Sequence, residues 1–404
     1  MVDVTAALDR LLAAAAPLPA VDVPLQDAAG RVLAEAVSTD RDYPPADRSA
    51  MDGFAVRASD CVEPERSLTV VGEVRAGERT DAIAIGAGEA VRIYTGGLIP
   101  RGADAVVMVE RTAVDPSTGS VRILEPPEPG QHVRRRGEDA RAGAIAVSAG
   151  AVLRPEEIAA LASVGRTGVR AIRAPVVAVA STGDEIVAGH AAPGPHQVRD
   201  SNARMLLAAV DAAGAVGRDL GVAKDDPASL DALLAEGLRA DVLLVSGGVS
   251  VGAYDLVRAA VERAGCEVLF HGVSMRPGKP ILAARRGAGL VFGLPGNPLS
   301  AHVGFHVFVL PAIRKLGGHP RPVAPLLRAR LLERLPRRTG RTSYAIARLS
   351  WESGTPSVAP VANASSGDVL SLARANAFIV AEGDDRPLEA GVAVQVLPWS
   401  PEPS

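Results

Sequence analysis

The chain has 404 residues, which is long for a single hydrophobic core, so the sequence predicts a protein of several domains. A net charge of −3 and an aromatic content of only 3% argue against a nucleic-acid-binding protein, which usually offers a basic surface and aromatic rings for stacking. Two cysteines give no disulfide framework, which favours a cytoplasmic protein, and no apolar run reaches the ~20 residues that span a bilayer.

The chain begins with a segment that we predict to be helical. Apolar residues recur at helical spacing from Val4 to Ala16, and Thr5 can cap this helix. A second segment with helical character returns near residue 153. We therefore expect residues 1–37 and 141–174 to form one N-terminal domain of helices and linkers.

Residues 38–140 are predicted to form an inserted, β-rich domain, because short β-branched runs alternate there with glycine turns. The residues between 112 and 123 have the pattern of a hairpin. Three polar clusters stand out: Arg48–Gly53, Tyr94–Gly97 and Arg134–Asp139. Spacing alone favours solvated turns or a charged surface for each of them.

From residue 175 to about residue 320 the pattern changes to alternating strands and helices. Buried runs such as Val176–Ala180 are followed by polar turns that can cap helices, as at Asp200–Asn202. This alternation predicts a doubly wound α/β domain with a parallel sheet. Residues 321–404 again look strand-like, and we expect a small C-terminal β domain.

The middle of the α/β domain carries the most informative stretch. The apolar run Val242–Val245 ends in a glycine and serine turn, which is followed by Asp255. Glycines let backbone N–H groups approach an anion closely, and ligands bind at the carboxyl ends of such strands. A carboxylate in this turn suits a phosphate if a divalent cation bridges the two.

Several polar residues follow predicted strands of this domain and would meet in one crevice: Glu185, Asp225, Asp255, Ser246, Ser250 and Lys279. Such a set predicts a Mg²⁺ and phosphate site, since Mg²⁺ usually takes only one or two protein carboxylates. The alternative for each carboxylate is a helix cap or a surface residue. Both interpretations stay open at this point.

Other familiar sites are not indicated. The glycine turn has neither the dinucleotide-binding spacing nor that of a P-loop. His302 and His306 are one helical turn apart but lack the glutamate of a zinc-protease helix, so packing is the better interpretation. Composition and spacing alone thus lead to a multi-domain protein with a phosphate and metal crevice.

Short motifs extend this interpretation through a resemblance. They are Ser49–Ala55, Arg92–Gly96, Gly102–Met108, Arg134–Asp139, Ser181–Glu185, Asp200–Asn202, Asp225-Asp226, Ser246–Gly252 with Asp255, Pro277–Pro280, and Leu294–Pro298 with Ser300. In this order and at these distances, they resemble the MoeA family of molybdenum cofactor synthesis, whose relatives include gephyrin and the plant Cnx E domains. The resemblance covers nearly the whole chain.

The resemblance implies a homodimer of elongated four-domain subunits, with a MogA-like α/β domain that binds molybdopterin and a C-terminal β-barrel-like domain. It implies insertion of molybdate into adenylylated molybdopterin, with Mg²⁺-dependent release of AMP. A contact with the molybdopterin adenylyltransferase would suit this place in the synthesis. Nucleic acid and membrane are not expected partners.

The resemblance also assigns roles to residues by motif match. Asp225, Asp255 and Glu185 would be catalytic and would hold or orient the metal and the substrate phosphates. Lys279, Ser300 and Ser366 would face molybdate and the dithiolene. Asp52, Thr95 and Asp139 would reach the site of the other subunit. The remaining residues expected to bind substrate are Ser246, Gly247, Gly248, Ser250, Arg276, Pro280, Asn297 and Pro298.

Two positions depart from the family pattern. Arg276 stands where the family usually has lysine, and Ile346 stands where it has an arginine after Tyr344. Arg348, two residues further along the predicted strand, would share the face of Ile346 and could replace that arginine.

These departures motivate an alternative from another class, a carrier or scaffold that holds the cofactor without turnover. Preference for tungstate, or the adenylyltransferase step itself, is a third possibility. The adenylyltransferases are usually single α/β domains, so a chain of this length fits that step less well.

Overall fold

The computed structural model describes residues 1–79, 83–249, 255–336, 340–352, 354–383 and 386–399. The chain forms two compact units. One contains Met1–Glu35, Gly150–Pro155 and Gly168–Ser404, and the other contains Ala36–Ala149 and Glu156–Thr167. The division into four domains at the expected boundaries stays a prediction. No helix in the described ranges has the length and apolarity needed to cross a bilayer.

The first unit contains a six-stranded sheet. In sheet order its strands are Val216–Ala223, Val176–Thr182, Val242–Ser246, Gly289–Leu294, Leu282–Arg286 and Glu267–His271. The first four strands are parallel, but Leu282–Arg286 runs antiparallel to both of its neighbours. The expectation of a wholly parallel sheet was therefore wrong at this edge, because only two residues connect Arg286 to Gly289, too few for a crossover between parallel strands.

Helices cover both faces of this sheet, which confirms the doubly wound α/β class. Alternate residues of the central strand Val242–Ser246 point to opposite faces, so Val242 and Leu244 join one core while Leu243 and Val245 join another. The helices that pack on these cores are Val4–Ala14, Asn202–Ala212, Pro227–Gly237, Leu256–Arg263 and Pro298–Gly304.

The helix that begins at Pro298 continues to Leu316 with a change of winding. Its first part is Pro298–Gly304, then Phe305–Val309 has π-helical hydrogen bonding, and Leu310–Leu316 completes it. Proline has no N–H to give to the carbonyl four residues earlier, and Pro311 lies just after the π segment. The predicted end near Leu316 is correct.

The C-terminal strands close into a barrel, as expected. The ring runs through Thr342–Glu352, Thr355–Pro360, Leu327–Leu331, Ala393–Pro398 and Ala377–Ala381, and the last strand pairs again with the first. Its interior is filled by small and branched side chains such as Leu331, Leu349 and Val396. The short strand Met275–Arg276 adds to the barrel by pairing in parallel with Thr342 and Ser343.

Smaller elements complete the first unit. The strands Ala20–Pro24 and Gly168–Ile172 pair antiparallel, and Ile186–Val187 pairs in parallel with Val198–Arg199. Leu25–Asp27 is a single 3₁₀ turn, and Val369–Leu372 is a short helix. The first helix is capped by Asp3, whose carboxylate accepts from the backbone N–H groups of Thr5 and Ala6, so the prediction of Thr5 as the cap was wrong.

The second unit is built on another six-stranded sheet. In sheet order its strands are Ala105–Met108, Gly53–Val56, Glu89–Ile93, Arg66–Val74, Ser120–Ile123 and Thr112–Asp115. The last two form the predicted hairpin. Two short ribbons join Val37–Ser38 to Ile145–Val147 and Arg48–Ser49 to Val133–Arg134. Two 3₁₀ turns, Ala58–Asp60 and Val109–Arg111, and the helix Pro155–Ser163 complete the described elements.

Candidate active site

The carboxyl end of the strand Val176–Thr182 fixes two acidic side chains. Buried Thr182 donates its hydroxyl to Oδ1 of Asp225 at 2.6 Å, and buried Ser181 donates to Oδ1 of Asp200 at 3.0 Å. Asp225 itself is exposed to solvent. Asp225, a predicted catalytic carboxylate, therefore stands at this edge of the sheet. Its Oδ1 accepts the hydrogen bond from Thr182, and its Oδ2 is available to a ligand.

The glycine turn after the next strand packs directly against this edge. The Gly247 N–H donates to the carbonyl of Leu294 at 2.9 Å, and Gly247 has a φ of 103°. A Cβ at Gly247 would lie 2.2 Å from the carbonyl oxygen of Thr182, a distance that no side chain can occupy. Glycine is required here because backbone passes against backbone.

Asn202 ties the glycine turn to the loop after the neighbouring strand. Its Nδ2 donates to the hydroxyl of Ser246 at 2.8 Å and to the carbonyl of Gly296 at 2.7 Å. Asn202 is only 7% exposed, and its Oδ1 has no hydrogen bond within the described part of the chain. Two loops that carry predicted substrate-binding residues are thus held by one amide.

The loop after Leu294 also joins the C-terminal segment to the site. Asn297 donates from Nδ2 to the hydroxyl of Ser366 at 2.9 Å, and the Leu299 N–H donates to the carbonyl of Ser366 at 3.2 Å. Pro298 begins the helix at this point. The structure thereby brings Ser366 beside Asn297 and Pro298, although about 70 residues separate them in sequence.

Ser300 lies in the first turn of the same helix and is buried. Gly304, four residues later on the same face, would clash with Cδ1 of Ile281 at 2.9 Å if it carried a Cβ. The helix therefore packs closely on the turn that contains Lys279 and Pro280. Ser300 precedes Gly304 by one helical turn on the same face of this helix, and Ile281 follows Lys279 and Pro280 in the chain.

These contacts form one continuous edge along the sheet. Asp225 contacts Thr182, Thr182 lies against Gly247, Gly247 lies beside Gly296, and Asn297 contacts Ser366. Ser246, Gly247, Gly248, Asn297, Pro298, Ser300 and Ser366 are thus brought to the same side of the fold as Asp225. Ser250 lies outside the described residues.

Asp255 has a different environment from Asp225. It caps the helix Leu256–Arg263, and its Oδ1 accepts from the Arg258 N–H at 3.1 Å. Its Oδ2 lies 3.0 Å from Nε2 of His271. The capping interpretation therefore holds for Asp255, and both of its oxygens face groups of the chain itself.

The fit of the three carboxylates to Mg²⁺ differs from one to the next. Asp225 is exposed with one oxygen open, and the exposed Glu185 folds back so that its carboxylate lies against Gly183. Asp255 Oδ2 is buried. Within the described ranges, no three His, Cys, Asp or Glu side chains form a group that could hold a metal. A hydrated Mg²⁺ bound through Asp225 and substrate phosphates fits this arrangement, whereas direct ligation by all three carboxylates stays a prediction.

In the second unit, the three polar clusters noted in the sequence meet in space. Arg48–Ser49 pairs with Val133–Arg134, and the Ser49 N–H donates to the Gly97 carbonyl at 2.9 Å. Oδ1 of Asp52 accepts from both the N–H and the hydroxyl of Thr95, at 2.7 and 2.8 Å. These two bonds, the backbone one first, lower the pKa of Asp52.

The third predicted residue of this unit, Asp139, forms an ion pair with Arg134 at 2.5 Å. Because Arg134 belongs to the strand that pairs with Arg48–Ser49, Asp139 joins the cluster that holds Asp52 and Thr95. Solvated turns were the interpretation favoured by spacing, and these side chains are indeed exposed, but they are ordered by hydrogen bonds between segments distant in sequence.

Three family models match the chain. They are the MoeA N-terminal region (domain I and II) over residues 2–165, the probable molybdopterin binding domain over residues 178–315, and the MoeA C-terminal region (domain IV) over residues 328–399. The chain belongs to the MoeA family. The predicted family is confirmed.

Curated relatives agree with this assignment. A molybdopterin molybdenumtransferase of Bacillus subtilis is 36% identical over 94% of this MoeA-family chain and 92% of its own length. A molybdopterin molybdenumtransferase of a Nostoc species is 37% identical over 93% and 88%. The solved structure of a molybdopterin biosynthesis MoeA protein from Pyrococcus horikoshii matches 99% of this chain and 100% of its own chain, with 29% identity and a TM-score of 0.84.

The two departures from the MoeA pattern have different structural settings. Arg276 is exposed on the short strand that pairs with the barrel. Ile346 is 2% exposed and packs in the core with Tyr344 and Phe378, whereas Arg348 is exposed. The two residues share a strand face as expected, but neighbouring elements cover only the position of Ile346.

For some residues of the site, the sequence pattern was too weak to predict a functional role. Thr182 and Asn202 lie inside the quoted motifs, yet which partners they bind depends on neighbouring strands. His271 lies in no motif, and its contact with Asp255 joins a strand to a helix start. A polar residue at the end of an apolar strand was the available signal, and it is a weak one.

Proposed function

We propose that this MoeA-family chain is a molybdopterin molybdenumtransferase that inserts molybdate into adenylylated molybdopterin and releases AMP with the help of Mg²⁺. The family and the names of the relatives support molybdenum insertion in molybdenum cofactor synthesis. The observation that carries the proposal for this chain is the continuous edge from Asp225 through Gly247 to Asn297 and Ser366. It offers a carboxylate at one end and hydroxyl groups at the other.

The hydroxyl end suits a small oxyanion. Ser366 supplies a hydroxyl beside Asn297, and Ser300 supplies one from the helix that begins at Pro298 and packs on Ile281, two residues after Lys279. Within the described ranges, Lys279 and Arg276 form no ion pair, so their charges are available to a dianion such as molybdate. Arginine at position 276 keeps the charge that the family usually supplies with lysine.

The carboxylate end suits a metal-bridged phosphate. Asp225 would hold Mg²⁺ through its open oxygen, Glu185 would orient the hydrated ion, and Asp255, at the start of its helix, would orient the substrate phosphates. Bound there, Mg²⁺ would stabilise the charge that develops on the departing adenylate. The chain's own contribution is to fix Asp225 through Thr182 and to bring the backbone of Gly247 and Gly248 close to the phosphates.

Asp52, Thr95 and Asp139 would complete the site of a second subunit in a homodimer, which gives a role to a hydrogen-bonded polar cluster in the other compact unit. We also propose a cytoplasmic protein that can receive its substrate from the molybdopterin adenylyltransferase. Analytical ultracentrifugation of the full chain tests the dimer.

The decisive experiment is single-turnover AMP release from adenylylated molybdopterin with Mg²⁺, in the presence and absence of molybdate. Release that requires molybdate supports the transferase. An Asp225→Asn variant should release AMP at least about 100-fold more slowly, because the metal loses its anionic ligand. Release that is unchanged without molybdate, or unchanged in this variant, contradicts the proposal.

The setting of Ile346 favours a second candidate, a carrier that holds the cofactor without turnover. The arginine of the family pattern is absent there, and exposed Arg348 does not occupy the covered position. Tight binding of adenylylated molybdopterin without AMP release would support the carrier. Repeating the assay with tungstate in place of molybdate tests which oxyanion is preferred.

A further inference from the structure

We infer that His271 is a positioning residue that sets the direction of the Asp255 carboxylate. Nε2 of His271 lies 3.0 Å from Oδ2 of Asp255. The two side chains are only 12% and 9% exposed, so water does not compete freely for this contact. The inference rests on the proposed function and on the role that the resemblance implies for Asp255, which is to orient the metal or the substrate phosphates from the start of its helix.

The neighbouring Arg258 defines which ring nitrogen carries the proton. Its guanidinium, which only donates, places Nη1 3.3 Å from Nδ1 of His271. Nδ1 must accept there, so the neutral ring carries its hydrogen on Nε2, the atom that faces Asp255. Arg258 is held in turn by Glu262, which accepts from its Nε at 2.9 Å.

The buried Oδ2 of Asp255 and Nε2 of His271 are a complementary hydrogen-bond acceptor and donor. Asp255 Oδ2 and His271 Nε2 each lack a well-aligned hydrogen bond within the described part of the chain. A buried carboxylate oxygen without a donor is costly, so a hydrogen bond across this 3.0 Å contact would be favourable. Since Arg258 N–H already binds Oδ1 at 3.1 Å, the added bond would fix the carboxylate at both oxygens.

The direction of this carboxylate matters for the whole turn. Asp255 begins the helix whose Val257 N–H donates to the carbonyl of Gly248 at 3.4 Å, and Val257 packs against Gly248. An Asp255 side chain that rotates freely would loosen both the helix start and the charge offered to the phosphates. Groups that orient the carboxylates of a metal site typically contribute about 10–100-fold to affinity or activity.

The test compares two replacements at His271 in the full-length protein. His271→Ala removes the donor, and His271→Gln keeps an N–H donor at a similar reach. We expect His271→Ala to slow single-turnover AMP release by about 10–100-fold, and His271→Gln to recover most of the loss. The matched control is His319→Ala, a half-buried histidine outside the site, which should release AMP at the wild-type rate.

A second readout does not depend on catalysis. In ¹⁵N-histidine spectra, the His271 ring should be the Nε2–H tautomer, and Asp255→Ala should shift its Nε2 signal while the His319 signal stays in place. A wild-type rate for His271→Ala, equal losses in the alanine and glutamine variants, or an Nδ1–H ring would each overturn the inference. If the wild-type protein itself releases no AMP, the proposed function fails, and the spectra alone decide the contact.

Discussion

Asn202 donates from one amide nitrogen to the hydroxyl of Ser246 and the carbonyl of Gly296, at 2.8 and 2.7 Å. Ser246 ends the strand Val242–Ser246, and Gly296 lies in the loop after the adjacent parallel strand Gly289–Leu294. A single buried side chain therefore sets the spacing between the glycine turn and the loop of Asn297.

Replacing Asn202 with alanine should weaken both stability and substrate binding. The change leaves the buried Ser246 hydroxyl without its donor, which costs about 1–3 kcal/mol in the free energy of unfolding, and it also removes the bond to the exposed Gly296 carbonyl. Urea denaturation measures this cost, and the KM for adenylylated molybdopterin should rise. Asn363→Ala, at an exposed asparagine that donates to a nearby backbone carbonyl, is the control and should cost much less.

Gly247→Ala should be more damaging than an ordinary glycine replacement at positive φ. A left-handed φ costs a side chain about 1–2 kcal/mol, and at Gly247 the new Cβ would also lie 2.2 Å from the Thr182 carbonyl oxygen. The control is Gly214→Ala, where φ is 75° and no atom lies within 4 Å of the added Cβ. Equal losses of thermal stability in the two variants would show that the close backbone approach is not what requires glycine.

Asp52 should titrate below an ordinary aspartate in the folded protein, because the Thr95 N–H and hydroxyl bind its ionised form. Since its pKa is lowered on folding, Asp52 stabilises the fold above its unfolded pKa, near 3.9, and this contribution is lost as the pH falls through the folded value. Carbon-13 NMR of the carboxyl group measures the titration. Thr95→Val removes only the hydroxyl donor, so the pKa should rise part of the way, and no rise would contradict this account.

His302 should make the fold less stable in mild acid. Burial lowers its pKa from 6.5 to about 4, and its ring packs against His306, Phe378 and Trp399. The unfolded chain binds the proton more readily, so stability is complete above pH 6.5 and decreases as the pH falls towards 4.

Replacement of His302 by phenylalanine tests this pH dependence. A lowering from 6.5 to about 4 corresponds to a loss of about 3 kcal/mol between these pH values, and the variant should lose less than the wild type over the same range. The control is His190→Asn at an exposed position, whose stability curve should follow the wild type. Parallel curves for His302→Phe and the wild type would show that His302 does not cause the acid sensitivity.

Periodicity in the sequence was sufficient for the main architecture. The buried run Val242–Val245 and its glycine turn predicted the central strand and the loop after it, and the alternation around it predicted helices on both faces. The direction of Leu282–Arg286 was not predicted, because a short strand has the same apolar pattern whichever way it runs.

Within the site, the sequence by itself determined which chemical groups stand at strand ends and where glycine turns follow the strands. These are local properties, fixed by side-chain period and by backbone conformation. Only the tertiary structure decided that Asp225 binds Thr182, that Asn202 bridges two loops, that Ser366 meets Asn297 and that Asp255 faces His271. Such contacts depend on the order and register of strands. Long-range packing sets both, and no periodic pattern in the sequence indicates which residues will meet.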